Sequence, residues 1–168
     1  MQVSLVLTIH GPDRPGLVGA LADVISSHSG SWMESRMANL SGQFAGILRV
    51  ECPASAKDSL VGDLEKLAEQ EIHVQVAGDP VRDESSGESV VITITGHDEP
   101  GIVKTIASVL TAESVNVEEL ETSLESAPMS GHSIFCTKGE VRLPEGLEIT
   151  DLINALEEVG SDLTVDVN

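Results

Sequence analysis

An eight-residue phrase occurs twice in this chain, about half its length apart. The copies are residues 11–18 (GPDRPGLV) and residues 96–103 (GHDEPGIV), with Pro15 and Pro100 in equivalent places 85 positions apart. A fixed long period of this kind is typical of a duplicated structural unit. Pro fits the first helical position, and Gly lets another group approach the backbone closely. Each copy therefore predicts a turn that ends a strand and opens a helix.

Apolar residues around both copies predict the same order of elements. Val3 to Ile9 alternate with polar residues, as in a strand, and a helical stripe of apolar residues begins at Leu17. Two strands turning at Ser41-Gly42, a helix and a last strand follow. The second half repeats this order, with apolar residues at Val90, Ile92, Ile94, Ile102, Val103, Ile106, Val109, Leu110, Leu152, Leu156, Val159, Leu163, Val165 and Val167.

This order predicts an α+β fold made of two ferredoxin-like βαββαβ domains. Right-handed crossovers give each domain a four-stranded antiparallel sheet with two helices on one face. We predict domains at residues 1–77 and 88–168, joined by a polar linker at 78–87 (GDPVRDESSG). A domain of about 80 residues buries only somewhat over 60% of its unfolded surface, so each half needs support from its neighbour or a partner chain.

The two halves differ in one hairpin. Pro15 and Gly42 are 27 positions apart, whereas Pro100 and Gly131 are 31 apart. The second hairpin is therefore predicted to be about four residues longer, around 128–132. Longer loops more often carry function, although harmless insertions are at least as common.

The charge balance excludes several classes of partner. The chain has 9 Lys+Arg against 28 Asp+Glu, a formal net charge of −19. Binding to nucleic acid or an anionic membrane needs a basic surface, so we expect neither. The acidity otherwise indicates solubility. The start of the chain has no basic segment, and no apolar run approaches the roughly 18 residues of a membrane span, which predicts a cytoplasmic protein.

No catalytic or metal-binding motif is evident. Cys52 and Cys136 form no CxxC pair and are predicted to be buried, reduced thiols. The five histidines show no tight metal spacing. His97 lies inside the repeated phrase and His132 on the longer hairpin, so these two could converge on a ligand. We expect no metal site, no catalytic residue and no enzyme activity.

The repeated turn is the best candidate for a binding site. A loop entering a helix presents unpaired backbone N–H groups, and the helix dipole favours a carboxylate there. An amino acid could place its carboxylate near Gly101 and its ammonium near an acidic or amide side chain. Alternatively, Asp13 and Asp98 only cap the helices. Both interpretations stay open for the first copy, and we favour the ligand for the second.

With these features in place, the chain resembles tandem ACT-domain proteins over residues 1–77 and 88–168. The helix-opening signature is present as DRPGLV at 13–18, and in the second copy with Glu99 in place of Arg. The family's Asn after the first helix appears as Asn116, whereas the first half has Ser31. Within the family, residues 34–40 (ESRMANL), 118–122 (EELET), 127–131 (APMSG) and 141–144 (VRLP) resemble the glycine cleavage system transcriptional repressor group.

The resemblance implies an amino-acid site between paired domains and a homo-oligomer. It implies no cofactor beyond a small glycine-like or serine-like effector. The implied ligand-binding residues come from the turn and from the start of the second strand of each domain: His97, Asp98, Glu99, Pro100, Gly101 and Asn116, with first-copy counterparts Asp13, Arg14, Gly16 and Ser31.

The implied function is a non-catalytic amino-acid sensor that controls a transcription factor by protein contact. Two alternatives stay open. The chain could be a regulatory module for an amino-acid or one-carbon metabolic enzyme, or an ACT scaffold that has lost its ligand. The residues do not identify the effector, because glycine, serine and branched amino acids differ by only a few atoms.

Overall fold

The structure, a computed structural model, describes residues 1–78, 86–126, 132–160 and 162–168. The chain divides into two compact units, Met1–Arg82 and Asp83–Asn168. Most of the predicted linker at 78–87 lies outside the described residues. Its bounds, like the domain limits of 77 and 88, stay predictions.

The first unit is a four-stranded antiparallel sheet with two helices. Its strand order is β2-β3-β1-β4, so β1 is an interior strand and β2 an edge strand. Short 3₁₀ segments at Ala54–Ala56 and Lys66–Gln70 flank the second helix. The elements are β1 (Gln2–Pro12), α1 (Leu17–Ser27), β2 (Ser31–Leu40), β3 (Gln43–Pro53), α2 (Lys57–Glu65) and β4 (His73–Val76).

The second unit has the same topology, with strand order β6-β7-β5-β8. The predicted pair of ferredoxin-like βαββαβ domains is confirmed. The elements are β5 (Ser89–His97), α3 (Ile102–Ala112), β6 (Asn116–Ser126), β7 (Ser133–Arg142), α4 (Ile149–Glu158) and β8 (Thr164–Val167).

Each core lies between the helices and one face of the sheet. In β1 the alternate residues Leu5, Leu7 and Ile9 are fully buried, and they face the buried stripe of α1 at Leu21 and Ile25. The second unit repeats the arrangement with Ile92, Ile94, Ile106, Leu110, Leu152 and Leu156. The period-two and helical patterns therefore fix which face of each element is buried.

The hairpin of the second unit is longer than predicted. Two residues separate the partners Leu40 and Gln43, whereas eight separate the corresponding partners Glu125 and Ile134. The second hairpin is thus six residues longer, not about four. Its 127–131 (APMSG) segment lies outside the described residues.

The two cysteines occupy different faces of their sheets. Cys52 is fully buried in the first core, as predicted. Cys136 is half-buried, so the prediction of two buried thiols is wrong for it. Its strand neighbours Phe135 and Thr137 are the buried residues there, and strand alternation places Cys136 on the opposite face.

Candidate functional site

Both copies of the repeated phrase form the same helix-entry turn. Gly16 and Gly101 stand immediately before α1 and α3 with φ of 91° and 93°, in the left-handed region that favours glycine. The Leu17 and Ile102 amides bond back to the carbonyls of Arg14 and Glu99. Both copies therefore form the predicted turn between strand and helix. Pro15 and Pro100 stand two residues before the first helical residue, so their predicted place at that residue is wrong, because the left-handed glycine intervenes.

Neither aspartate caps its helix, so the capping interpretation is wrong. Both helices begin without a side-chain cap. Asp13 instead accepts a hydrogen bond from the side chain of Asn39 in β2. The register places Leu124 where the first domain has Asn39, and among the described residues no side chain bonds to that of Asp98.

The start of α3 offers unused backbone donors. The amides of Ile102 and Thr105 donate to the carbonyls of Glu99 and Gly101 at 3.2 and 3.0 Å. Between them, the amides of Val103 and Lys104 donate to no backbone acceptor in the described part of the chain. Two donors at the positive end of a helix dipole form a place for a carboxylate.

A cavity of about 250 Å³ lies beside this turn, against the connection between α4 and β8. Its lining residues include the acidic Glu99 and Asp162 and the hydroxyl-bearing Thr105. A more open groove of about 610 Å³ runs past Pro100, Gly101 and Lys104 along α3. The full lining of the smaller cavity is His97, Glu99, Ile102, Thr105, Val159, Gly160, Asp162 and Leu163.

Two histidine pairs lie near the turn ends of the sheets. The rings of His97 and His132 are tilted with centroids 5.4 Å apart, so the two side chains do meet, and their convergence on a ligand stays a prediction. A second pair, His10 and His73, stacks at 4.9 Å across β1 and β4. The sequence interpretation missed this pair, because only the strand register brings the two residues together.

The structure does not bring Asn116 to the turn of its own domain. Asn116 pairs with Arg142, level with Ser89 at the start of β5, whereas His97 ends that strand. Eight residues of strand span about 26 Å, far more than one small amino acid. One copy of the second domain therefore cannot bring both Asn116 and its own turn to the same small ligand.

Ser31 has the same position in the first domain. It is level with Glu51 and Ser4, at the end of the sheet opposite the turn at 13–16. The first-copy residues are thus divided in the same way as those of the second copy.

An ion pair braces the strand that carries Asn116. The register shifts between Val117 and Glu119. The intervening Glu118 accepts a hydrogen bond from Arg142 Nε at 2.7 Å, and its Oε1 lies 2.6 Å from Arg142 Nη2 in an ion pair. Ser89 Oγ lies 3.0 Å from Glu118 and 2.9 Å from Glu140, so its one hydroxyl proton serves either carboxylate. Arg142 also donates to the carbonyl of Gly87. These contacts fix the start of β6.

No group of three or more His, Cys, Asp or Glu residues among the described residues could hold a metal ion. No helix within the described ranges is long and apolar enough to cross a membrane.

The fold and the doubled turn define the class of protein: a tandem pair of ferredoxin-like domains with matching helix-entry turns. The ACT domain family model matches residues 4–77 and 88–126, and the chain belongs to this family.

Solved structures share this fold over the whole chain. An unknown protein from Galdieria sulphuraria is 27% identical with a TM-score of 0.84, and the alignment covers 100% of this chain and 98% of that one. A candidate glycine cleavage system transcriptional repressor is 17% identical with a TM-score of 0.72, covering 100% and 97%. The comparison with curated proteins finds no match.

Proposed function

We propose that this chain is a non-catalytic regulatory protein that binds a small amino acid at the turn before α3. The observation that supports the proposal is the pairing of opposite charges there. The unused amides of Val103 and Lys104 attract an anion, and the lining of the cavity beside them includes the acidic residues Glu99 and Asp162. A zwitterionic amino acid has both complementary groups.

In this proposal each charged group of the ligand has its own partner. Its carboxylate lies on the two amides, with the Lys104 ammonium in the adjoining groove. Its ammonium lies against Glu99 or Asp162, and Asn116 from a second copy of the chain supplies an amide. The cavity of about 250 Å³ is below the roughly 300–1,000 Å³ of drug-sized ligand sites, which favours an effector like glycine or serine.

We propose that the bound protein controls a transcription factor by direct protein contact in the cytoplasm, as in regulation of the glycine cleavage system. The net charge of −19 disfavours direct binding to DNA, so a protein partner is the better route. The name of the repressor that shares the fold supports this direction. Since Asn116 and the turn of one domain lie far apart, we also propose that the chain acts as a homo-oligomer with paired domains.

Calorimetric titration of the full chain tests the ligand. Glycine, serine, alanine, valine and leucine are compared, and we expect binding of glycine or serine. Asn116→Ala should weaken it at least about tenfold, because it removes a charge-assisted hydrogen bond worth about 1.5–3 kcal/mol. Ser31→Ala is the matched control and should bind as the wild type does. Absence of heat with all five amino acids would count against the proposal.

An affinity capture separates this function from the two alternatives. A transcription factor retained only in the presence of the amino acid supports the sensor. A metabolic enzyme retained in this way points to a regulatory module for that enzyme. A partner retained equally with and without every amino acid indicates a scaffold that has lost its ligand.

A further inference from the structure

We infer that Arg14 closes the first copy of the site, so that each chain carries one open amino-acid site and not two. This inference rests on the proposed function, because the first turn is interpreted as a blocked version of the second.

The position of the Arg14 side chain is the first observation. Its guanidinium donates a hydrogen bond to the carbonyl of Gln70, which ends the 3₁₀ segment before β4. In the second domain the corresponding connection, before β8, contributes Gly160 and Asp162 to the cavity. Arg14 therefore bridges the gap that is an open cavity in the second domain.

The closeness of the backbone is the second observation. A Cβ on Gly11 of β1 would come within 2.5 Å of the Glu71 carbonyl oxygen. A Cβ on the equivalent Gly96 would lie 3.4 Å from the Asp162 carbonyl oxygen, and its tightest contact would be a Leu163 methyl group. Glu71 and Asp162 both stand two residues before the last strand. The connection thus lies closer to the sheet in the first domain.

The charges agree with this geometry. Arg14 holds its own cation against the connection in the first domain, in the place where the second domain offers Glu99 and Asp162 to a ligand's ammonium. The Arg14 guanidinium therefore takes the position that the ammonium of a ligand would take in the second domain. The hydrogen bond between Asn39 and Asp13 fixes the same turn to β2, which leaves it less free to open.

A reciprocal exchange tests the inference by the number of sites per chain in calorimetric titration with glycine and serine. The wild type should bind one amino acid per chain, and Arg14→Glu, which copies Glu99, should bind two. Arg14→Ala removes the closing group without adding charge and should also bind two. Glu99→Arg should lose at least about tenfold in affinity, because like charges oppose the ammonium group.

The control is Lys138→Glu, which makes the same change of charge on β7 and should keep one site. The amide signals of Gly16 and Gly101 in a nitrogen-15 spectrum identify the occupied turn: only Gly101 should respond in the wild type, and both in the Arg14 variants. Two sites in the wild type, or one site in both folded Arg14 variants, would overturn this inference alone. No binding by the wild type or any variant would overturn the proposed function.

Discussion

The two domains have the same topology, yet the side chains of their helix-entry turns make different contacts. In the first, Arg14 and Asp13 are bonded to Gln70 and Asn39. In the second, Glu99 faces a cavity, and no described side chain bonds to that of Asp98. A duplicated fold can therefore keep its core in both copies while one turn becomes part of the scaffold and the other keeps polar groups available.

The starts of the second strands show a complementary difference. The Arg142–Glu118 pair in the second domain is short and largely shielded from solvent. In the first domain, the Arg49–Glu34 pair near the same register shift is 3.3 Å long, and the glutamate is mostly exposed. The firmer brace thus lies beside Asn116, on the strand we propose as part of the site.

The largest expected difference between the domains is in thiol reactivity. Cys52 is fully buried and burial raises its thiol pKa, whereas Cys136 is half-buried on the other face of its sheet. Since the thiolate is the reactive form, Cys136 should react with a disulfide reagent at least about 100-fold faster in the native protein. Cys136→Ser should leave only the slow phase. Two equally fast thiols would show that the two faces are not distinct.

A smaller difference is expected from the two ion pairs. Glu118→Gln should lower the free energy of unfolding by about 1 kcal/mol, because it weakens a shielded pair with several hydrogen bonds. Glu34→Gln is the matched control. It should lower the free energy of unfolding by less than about 0.5 kcal/mol, because exposed ion pairs contribute little to stability. Urea unfolding followed by circular dichroism measures both. Equal losses would remove the distinction between the braced and the unbraced strand.

The smallest expected difference is in the response to acid. His28 lies between Asp63 at 2.8 Å and Ser59 at 3.2 Å, linking α1 to α2, while the second domain has Glu113 at the equivalent position. Hydrogen bonds from Lys66 and then His28 lower the pKa of Asp63. The stability that Asp63 contributes is therefore present above its ordinary pKa of about 3.9 and lost as the pH falls through its lowered folded value.

Asp63→Asn should thus be less stable than the wild type at pH 7, and the difference should shrink as the pH falls below about 4. Trp32 is the single tryptophan and lies in the first domain, so its fluorescence follows that domain during denaturant unfolding. If the difference in the free energy of unfolding between the wild type and Asp63→Asn stays constant from pH 7 to pH 3, the Asp63 charge does not have this role.

Most of the fold follows from local pattern. Alternation in β1 and the helical stripe from Leu17 identify the buried faces, and the repeated phrase identifies two copies. The hairpin length could not be derived by counting between Pro and Gly, because the end of a strand is set by its pairing partners. The strand register also decides on which face of the sheet Cys136 lies, because a shift of one residue moves every side chain of a strand to the other face.

The site was predictable only in part. The turn residues follow from the phrase, because its glycine must adopt a positive φ before each helix. The contacts that distinguish the two turns were not predictable. Arg14 and Gln70 are 56 residues apart, and Glu118 and Arg142 are 24 apart. Such pairs depend on tertiary packing, for which local sequence holds no signal.

The pairing of β1 has a consequence for how the chain is made. Both neighbours of β1, which are β3 and the short β4, come from the first 76 residues. All four strands of the first sheet are therefore synthesised before those of its duplicate, and domains generally fold as units in that order. A repeated sequence risks hybrid pairing between its copies. Vectorial synthesis lowers that risk here, because β1 has no free edge left when β5 emerges.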